Sequence, residues 1–149
     1  MSIWFATPEL DKINRFAENT LVEHVDIRFT EIGDDYLRAT MPVDRRTHQP
    51  MGILHGGASV VLAETLASVG ANISVDPAKN YCVGLEINAN HIRSVSDGLV
   101  TGTGSPVHMG KTTQIWEIRL TDEKERLTCI SRVTMAVLSH IKKMPHRML

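Results

Sequence analysis

Residues 49–72 read QPMGILHGGASVVLAETLASVGAN, a long apolar run from Gln49 to Asn72 that holds a single carboxylate. From Ala58 to Ile73 the residues suit a helix, yet apolar side chains occur on nearly every side, which predicts burial around most of its circumference. The polar exceptions align. Glu64, Thr65, Ser68 and Asn72 fall at i, i+1, i+4 and i+8, one narrow ridge on a helix of about 3.6 residues per turn. Just ahead of the helix, His55-Gly56-Gly57 places flexible backbone at its N-terminus, where the first amides lack intrahelical partners and can point at developing negative charge.

Upstream, Thr7-Pro8 predicts a short helix with Thr7 as N-cap and Pro8 in the first turn, its apolar face formed by Leu10, Ile13 and Phe16 or Ala17. Residues 25–32 and 36–43 flank Gly33-Asp34-Asp35, and Leu37, Ala39, Met41 and Val43 alternate with polar neighbours, so a hairpin with one wet face is expected. Residues 44–51 carry charge, a proline and no period; they read as a loop delivering Gln49 and His55 to the helix mouth. Downstream of Asp76-Pro77 come four strand-like runs, 81–93, 99–107, 112–121 and 126–138, read as a meander. In the first of them Val83, Leu85, Ile87, Ala89 and His91 are expected on one face, with Gly84, Glu86, Asn88 and Asn90 on the other. One apolar helix then has to be hidden by about six strands. A curved six-stranded antiparallel sheet wrapped around one long central helix, with a short N-terminal helix, meets both patterns; this is the α+β hotdog architecture. Its open edges predict pairing with a second copy.

A chain of 149 residues, 42% hydrophobic and 22% charged, fits one domain, placed at residues 1–138, with the basic stretch 139–149 expected to be a frayed tail. Net charge is −1, which gives no global field for nucleic acid or an anionic membrane. The N-terminus lacks the basic start and long apolar core of an export signal, so a cytoplasmic protein is expected. Cys82 and Cys129 sit singly in strand-like runs and read as buried reduced thiols. Seven histidines form neither HxxxH nor HExxH nor a Cys/His cluster, which argues against a metal enzyme. Gly102 and Gly104 lie within a strand run and open no helix, so they are no dinucleotide fingerprint.

The string Q-P-x-G-x-L-H-G-G-A-S, followed by Glu64 seven residues after Gly57 and Ser68 four beyond, resembles the hotdog-fold acyl-CoA thioesterases of the phenylacetate and 4-hydroxybenzoyl-CoA type. The likeness extends through IGDDYLRATMPVD, VGLEINANHIR and PVHMG, covering roughly residues 3–138 in the same order. Within that family it is most similar to the branches that act on 1,4-dihydroxy-2-naphthoyl-CoA in menaquinone biosynthesis and that proofread aryl groups in enterobactin synthesis. The resemblance implies an aromatic acyl-CoA as substrate, with coenzyme A entering as part of it and no separate cofactor. It implies Glu64 as nucleophile or general base, the Gly56 amide as the group polarising the thioester carbonyl, His55 and Gln49 as orienting residues, and Ser68 beside the acyl group. Gly84, His91, Ile92, Arg93 and Ser94, together with His108, Met109, Gly110, Lys111 and Thr112, match segments that hold coenzyme A. It further implies a homo-oligomer, a dimer of dimers, with each site shared between two subunits.

Thioester hydrolysis needs an activated oxygen nucleophile and donors aimed at the oxygen that turns negative. Glu64 and Gly56 meet those needs, with Thr65, Ser68 or Gln49 expected to hydrogen-bond the carboxylate. The residues alone leave other readings open: Glu64 as a paired structural or surface charge, Gly56-Gly57 as only a steep turn into the helix, His55 as a helix cap bonding its own loop, Ser68 bonding back one turn, Gln49 solvated, and His91 with Arg93 as a wet strand end. Function is open in the same way. Besides hydrolysis of acyl-CoA, the residues allow release of misloaded aryl groups from a carrier protein, or a non-catalytic acyl-CoA-binding hotdog protein.

Overall fold

The computed structural model describes residues 1–140, and the tail expected to fray falls almost wholly outside them. The elements are α1 (Leu10–Phe16), α2 (Leu21–His24), β1 (Arg28–Ile32), β2 (Leu37–Pro42), α3 (Gly56–Ile73), β3 (Asn80–His91), β4 (Leu99–Met109), β5 (Thr113–Thr121) and β6 (Leu127–Ser139). Six strands form one antiparallel sheet in the order β1-β2-β4-β5-β6-β3. It packs on α3, the α+β hotdog arrangement.

On α3 a stripe of small and medium residues, Ser59, Leu62, Ala63, Leu66, Ala67, Gly70 and Ala71, is fully buried against the sheet. The rest of the helix from Ala58 to Ile73 is half-buried and nowhere exposed, in line with its apolar circumference. Close approach is bought by glycines: a Cβ on Gly102 of β4 would lie 2.5 Å from Leu66 Cδ1, and one on Gly70 would lie 2.6 Å from the Trp116 ring. Leu37, Ala39, Met41, Val100, Trp116, Ile118, Leu120, Val133 and Met135 complete the core from the sheet side. Cys82 and Cys129 are free and buried, and burial pushes both thiols above the usual range.

Four expectations change. The first helix starts at Glu9, not Thr7: the Phe5 amide is tied to the Ile73 carbonyl at 3.0 Å, and the first helical bonds run to the Glu9 carbonyl from Lys12 and Ile13. Its apolar face is thin, with Phe16 86% exposed, and a second short helix, α2, follows it. β3 is not part of a meander; the chain crosses over after it, so β3 pairs β6 as the far edge while β4 joins β2. Finally, Ser139 belongs to β6, and His140 is fixed by bonds to Lys79 and Pro77 and by stacking on Tyr81.

β3 also corrects its own face assignment. Gly84 pairs with Met135 and Glu86 with Thr134, so Leu85 is the extra residue of a β-bulge. Before the bulge Cys82 is the buried residue and Val83 is exposed; beyond it Ile87 and Ala89 turn toward the core. Val83 and Leu85 therefore do not share a face with Ile87. Together with Tyr81 they leave an apolar edge of the sheet that is unpaired among the described residues.

Candidate active site

The loop before α3 is pinned from both sides. Buried Thr47 donates its hydroxyl to the Pro42 carbonyl, and its own carbonyl accepts the His55 amide at 2.8 Å. The turn from Gln49 to Ile53 closes with the Gln49 amide donating to the Ile53 carbonyl and the Gly52 amide to the Gln49 carbonyl, and needs the left-handed φ of +76° at Gly52. Leu54 and His48 bond the carbonyls of Val95 and Ser96, so the loop is stitched to the segment after β3.

His55 is the N-cap of α3: its Nδ1 accepts the Gly57 amide at 2.7 Å. That bond fixes the neutral tautomer with the proton on Nε2, directed away from the helix end. Ala58 and Ser59 bond the His55 carbonyl, which leaves the Gly56 amide as the first-turn donor without a partner among the described residues. Gly56 lines a cleft of about 340 Å³ together with Gln49, Ile53, Ser59, His91, Arg93 and Ser94, among others. Thus the predicted Gln49 and Gly56 meet the predicted His91–Ser94 segment, and His91 packs on Gly56 so tightly that a Cβ there would lie 2.8 Å from its Nε2. Gln49 Oε1 is turned onto the Met51 amide. Arg93 and Ile92 are exposed, and Arg93 has no ion pair among the described residues. Ser59, only 3% exposed beneath Gly56, went unrecognised in the sequence; its one signal was a hydroxyl three residues after Gly56.

Glu64 lies elsewhere. It is half-buried, eight residues along α3 from Gly56, hence about 12 Å farther up the axis. None of the expected donors reaches it: Thr65 bonds back to the Val61 carbonyl at 2.7 Å, Gln49 is engaged in its turn, and Ser68 lends only its carbonyl, to Asn72. Among the described residues Glu64 has neither hydrogen bond nor ion pair. What it touches is Gly84, where a Cβ would lie 2.5 Å from Glu64 Oε1. Asn72, at the end of the ridge, clamps β3 through both backbone groups of Cys82.

The second predicted coenzyme A segment, His108–Thr112, forms the end of β4 and the turn into β5. Gly110 bonds Thr113, and the Thr112 carbonyl accepts the Val137 amide. Val137 pairs with Cys82 while Cys129 pairs with His91, so this turn and the His91 segment sit at opposite ends of β3, about 30 Å apart at roughly 3.3 Å per residue. Beside α3 runs a mostly apolar groove of about 510 Å³, lined by Phe5, Ile13, Phe16, Val69, Ile73 and Val75 with neighbours. Nothing in the sequence of the N-terminal segment marks it as part of a site. No three His, Cys, Asp or Glu side chains gather as a metal site among the described residues, and no helix there is long and apolar enough to cross a membrane.

Comparison with known proteins places the chain among thioester hydrolases. The 1,4-dihydroxy-2-naphthoyl-CoA hydrolase of Escherichia coli (strain K12) is 52% identical over 136 residues, 91% of this chain and 99% of that one. The proofreading thioesterase EntH of Cronobacter turicensis is 48% identical over 91% of this chain and 98% of its own. Among solved structures, a glutamine-to-alanine mutant of thioesterase PA1618 from Pseudomonas aeruginosa superposes with a TM-score of 0.92 at 47% identity, covering 93% of this chain and all of that one. Two crystal structures of SAV0944 from Staphylococcus aureus, 40% identical, carry alanine in place of a glutamine and, fifteen positions on, of a glutamate, with TM-scores of 0.76 and 0.78 over 78% and 80% of this chain. The profile of the thioesterase superfamily matches residues 51–129, from the turn before His55 through the first residues of β6. Sheet, helix, amide-bearing cleft and lone carboxylate thus sit on a chain that belongs to the thioesterase superfamily, a thioester hydrolase of the hotdog type.

Proposed function

We propose that this chain hydrolyses an aromatic acyl-CoA, 1,4-dihydroxy-2-naphthoyl-CoA most specifically, at a site shared by two copies: Glu64 from one, Gln49, His55 and Gly56 from the other. The observation that carries the shared site is the separation along α3. An oxyanion donor and an attacking group must both lie about 3 Å from one carbonyl, and within one chain Gly56 and Glu64 are about 12 Å apart. The two coenzyme A segments at opposite ends of β3 support the same arrangement, since one cofactor-sized handle meets both only when they come from different copies. The unpaired, apolar edge of β3 is the surface along which a second sheet would align.

The glutamine and glutamate altered in the Staphylococcus relative are fifteen residues apart, the spacing of Gln49 and Glu64 here, 64 − 49 = 15. In the reaction, Glu64 takes a proton from water as its oxygen attacks the thioester carbon, or attacks that carbon itself to give an anhydride that water then opens. Either way the carbonyl oxygen becomes negative and accepts the Gly56 amide. The carbon–sulfur bond breaks with its electron pair on sulfur, and the thiolate takes up a proton. His55 Nε2–H and the Gln49 amide orient carbonyl and water, and Ser68 lies one turn beyond Glu64 on the acyl side. His91, Ile92, Arg93 and Ser94 of one copy and His108, Met109, Gly110, Lys111 and Thr112 of another hold coenzyme A, with Arg93 and Lys111 as phosphate partners. The apolar groove that includes Val69 and Ile73 lies five to nine residues along α3 from Glu64 and suits a flat aryl group.

The likeness to a proofreading thioesterase favours a second reading in which the same acyl group is delivered on an aryl carrier protein. Thiol release from a panel of aryl and aliphatic acyl-CoAs, with one aryl group also presented on the carrier, decides between them. Aryl-CoA turnover dominating supports the first reading; carrier-bound turnover dominating supports the second. Glu64→Ala should lower kcat by about 10² or more; activity within a few-fold of wild type would remove Glu64 from the chemistry.

A further inference from the structure

The inner face of β3 has a gap under Glu64. Cys82 and Gly84 face α3 before the bulge, Ile87 and Ala89 after it. The extra residue, Leu85, widens the spacing between the inward positions 84 and 87, and the inward residue at the edge of that interval, Gly84, carries no side chain. Backbone conformation does not require glycine there: positive φ occurs among glycines only at Gly52 and Gly98. A glycine inside a strand weakens it, so a side chain is being kept out for another reason. That reason is visible in the clearance: a Cβ on Gly84 would stand 2.5 Å from Glu64 Oε1 and 3.5 Å from its carboxyl carbon.

Accepting the role of Glu64 argued above, we propose that Gly84 is a positioning residue for it, the bare step of β3 that seats the carboxylate where it meets the thioester. This differs from a coenzyme A contact, which the resemblance alone implied for Gly84. The carboxylate ends a flexible side chain with no hydrogen bond or ion pair among the described residues, so a methyl group at 84 would push it aside at little cost to the fold. Reaction geometry is less forgiving, because a misplacement of about 1 Å costs on the order of 10²-fold in rate.

Steady-state kinetics and thermal unfolding of Gly84→Ala, with Glu64→Ala, Glu64→Asp and Glu64→Asp/Gly84→Ala alongside, test this. The expected result is kcat lowered by about 10 to 10²-fold, KM within two-fold of wild type, and an unchanged melting temperature. The shorter Asp carboxylate clears the added methyl, so Gly84→Ala should change kcat far less in the Glu64→Asp background than in wild type. A raised KM at unchanged kcat, no change in either, a collapsed melting temperature, or additive effects in the double variant would each overturn the proposal. Should Glu64→Ala remain active, the proposed reaction at Glu64 fails, and this inference with it; should only Gly84→Ala be silent, this inference alone fails.

Discussion

At the scale of single residues, His55 shows how a structural and a functional role coincide. Its Nδ1 caps α3, and in the reaction proposed above its Nε2–H is the orienting donor, so the cap and that donor would be one side chain seen from two ends. His55→Ala should lose about 1 kcal/mol of stability, the usual worth of an N-cap, and activity as well. His55→Asn, which keeps an N-cap acceptor, should recover most of the stability in chemical denaturation without the activity. Recovery of both would reduce His55 to a cap. Nearby Asp44 links the same loop to pH. The Arg46 side chain and amide hold its carboxyl down to about 2 from an ordinary 3.8. A depressed folded value means that the contribution is present above about 4 and is lost as pH falls toward 2. Denaturation midpoints of wild type and Asp44→Asn should therefore differ at pH 7 and converge near pH 2, whereas a constant gap would show that the carboxylate's charge is not what stabilises the loop.

Elements divide into those whose signals are local and those whose signals are not. The helix α3, the glycine entry to it and the turns at Gly33-Asp34-Asp35 and residues 122–125 were legible because periodicity, capping and turn chemistry act over a few residues. Gly102, dismissed as a nucleotide fingerprint, turns out to clear space for Leu66, and Gly70 does the same for Trp116 and Leu37. Gly70→Ala should accordingly cost about 1–3 kcal/mol by overpacking, read as a lower melting temperature, since neither ring nor neighbouring leucine can move freely in a filled core. A neutral or stabilising effect, as expected for Gly→Ala in an unconstrained helix, would contradict the close approach. β3 was misjudged for a specific reason: Val83, Leu85, Ile87 and Ala89 alternate as if one face were buried, but the first two are apolar because they line an open edge. A bulge has no local signature in such a run, and neither does the crossover that sends β4 to the other side of the sheet.

For the whole molecule the same limit decides what could be known of the site. The sequence singled out Glu64, Gly56 and Gln49, and the resemblance implied both the predicted coenzyme A segments and a site shared by two subunits; where these groups stand within one chain was not legible. Gln49, Gly56 and His91 gather at one end of α3; Glu64 and Gly84 meet farther along; His108–Thr112 turn at the other end of the sheet. The half-buried far side of α3 and the free β3 edge are the surfaces left to bring these groups together in a pair of copies. The most direct test is complementation between two inactive chains, Glu64→Ala and Gln49→Ala, mixed by co-unfolding and refolding, with sedimentation confirming assembly. In a two-fold dimer, random mixing leaves one intact site on each mixed pair, so thiol release should recover to about a quarter of wild type. Activity that stays at the level of the separate variants, in dimers shown to have exchanged chains, would place Glu64 and Gln49 in one subunit and contradict the shared site.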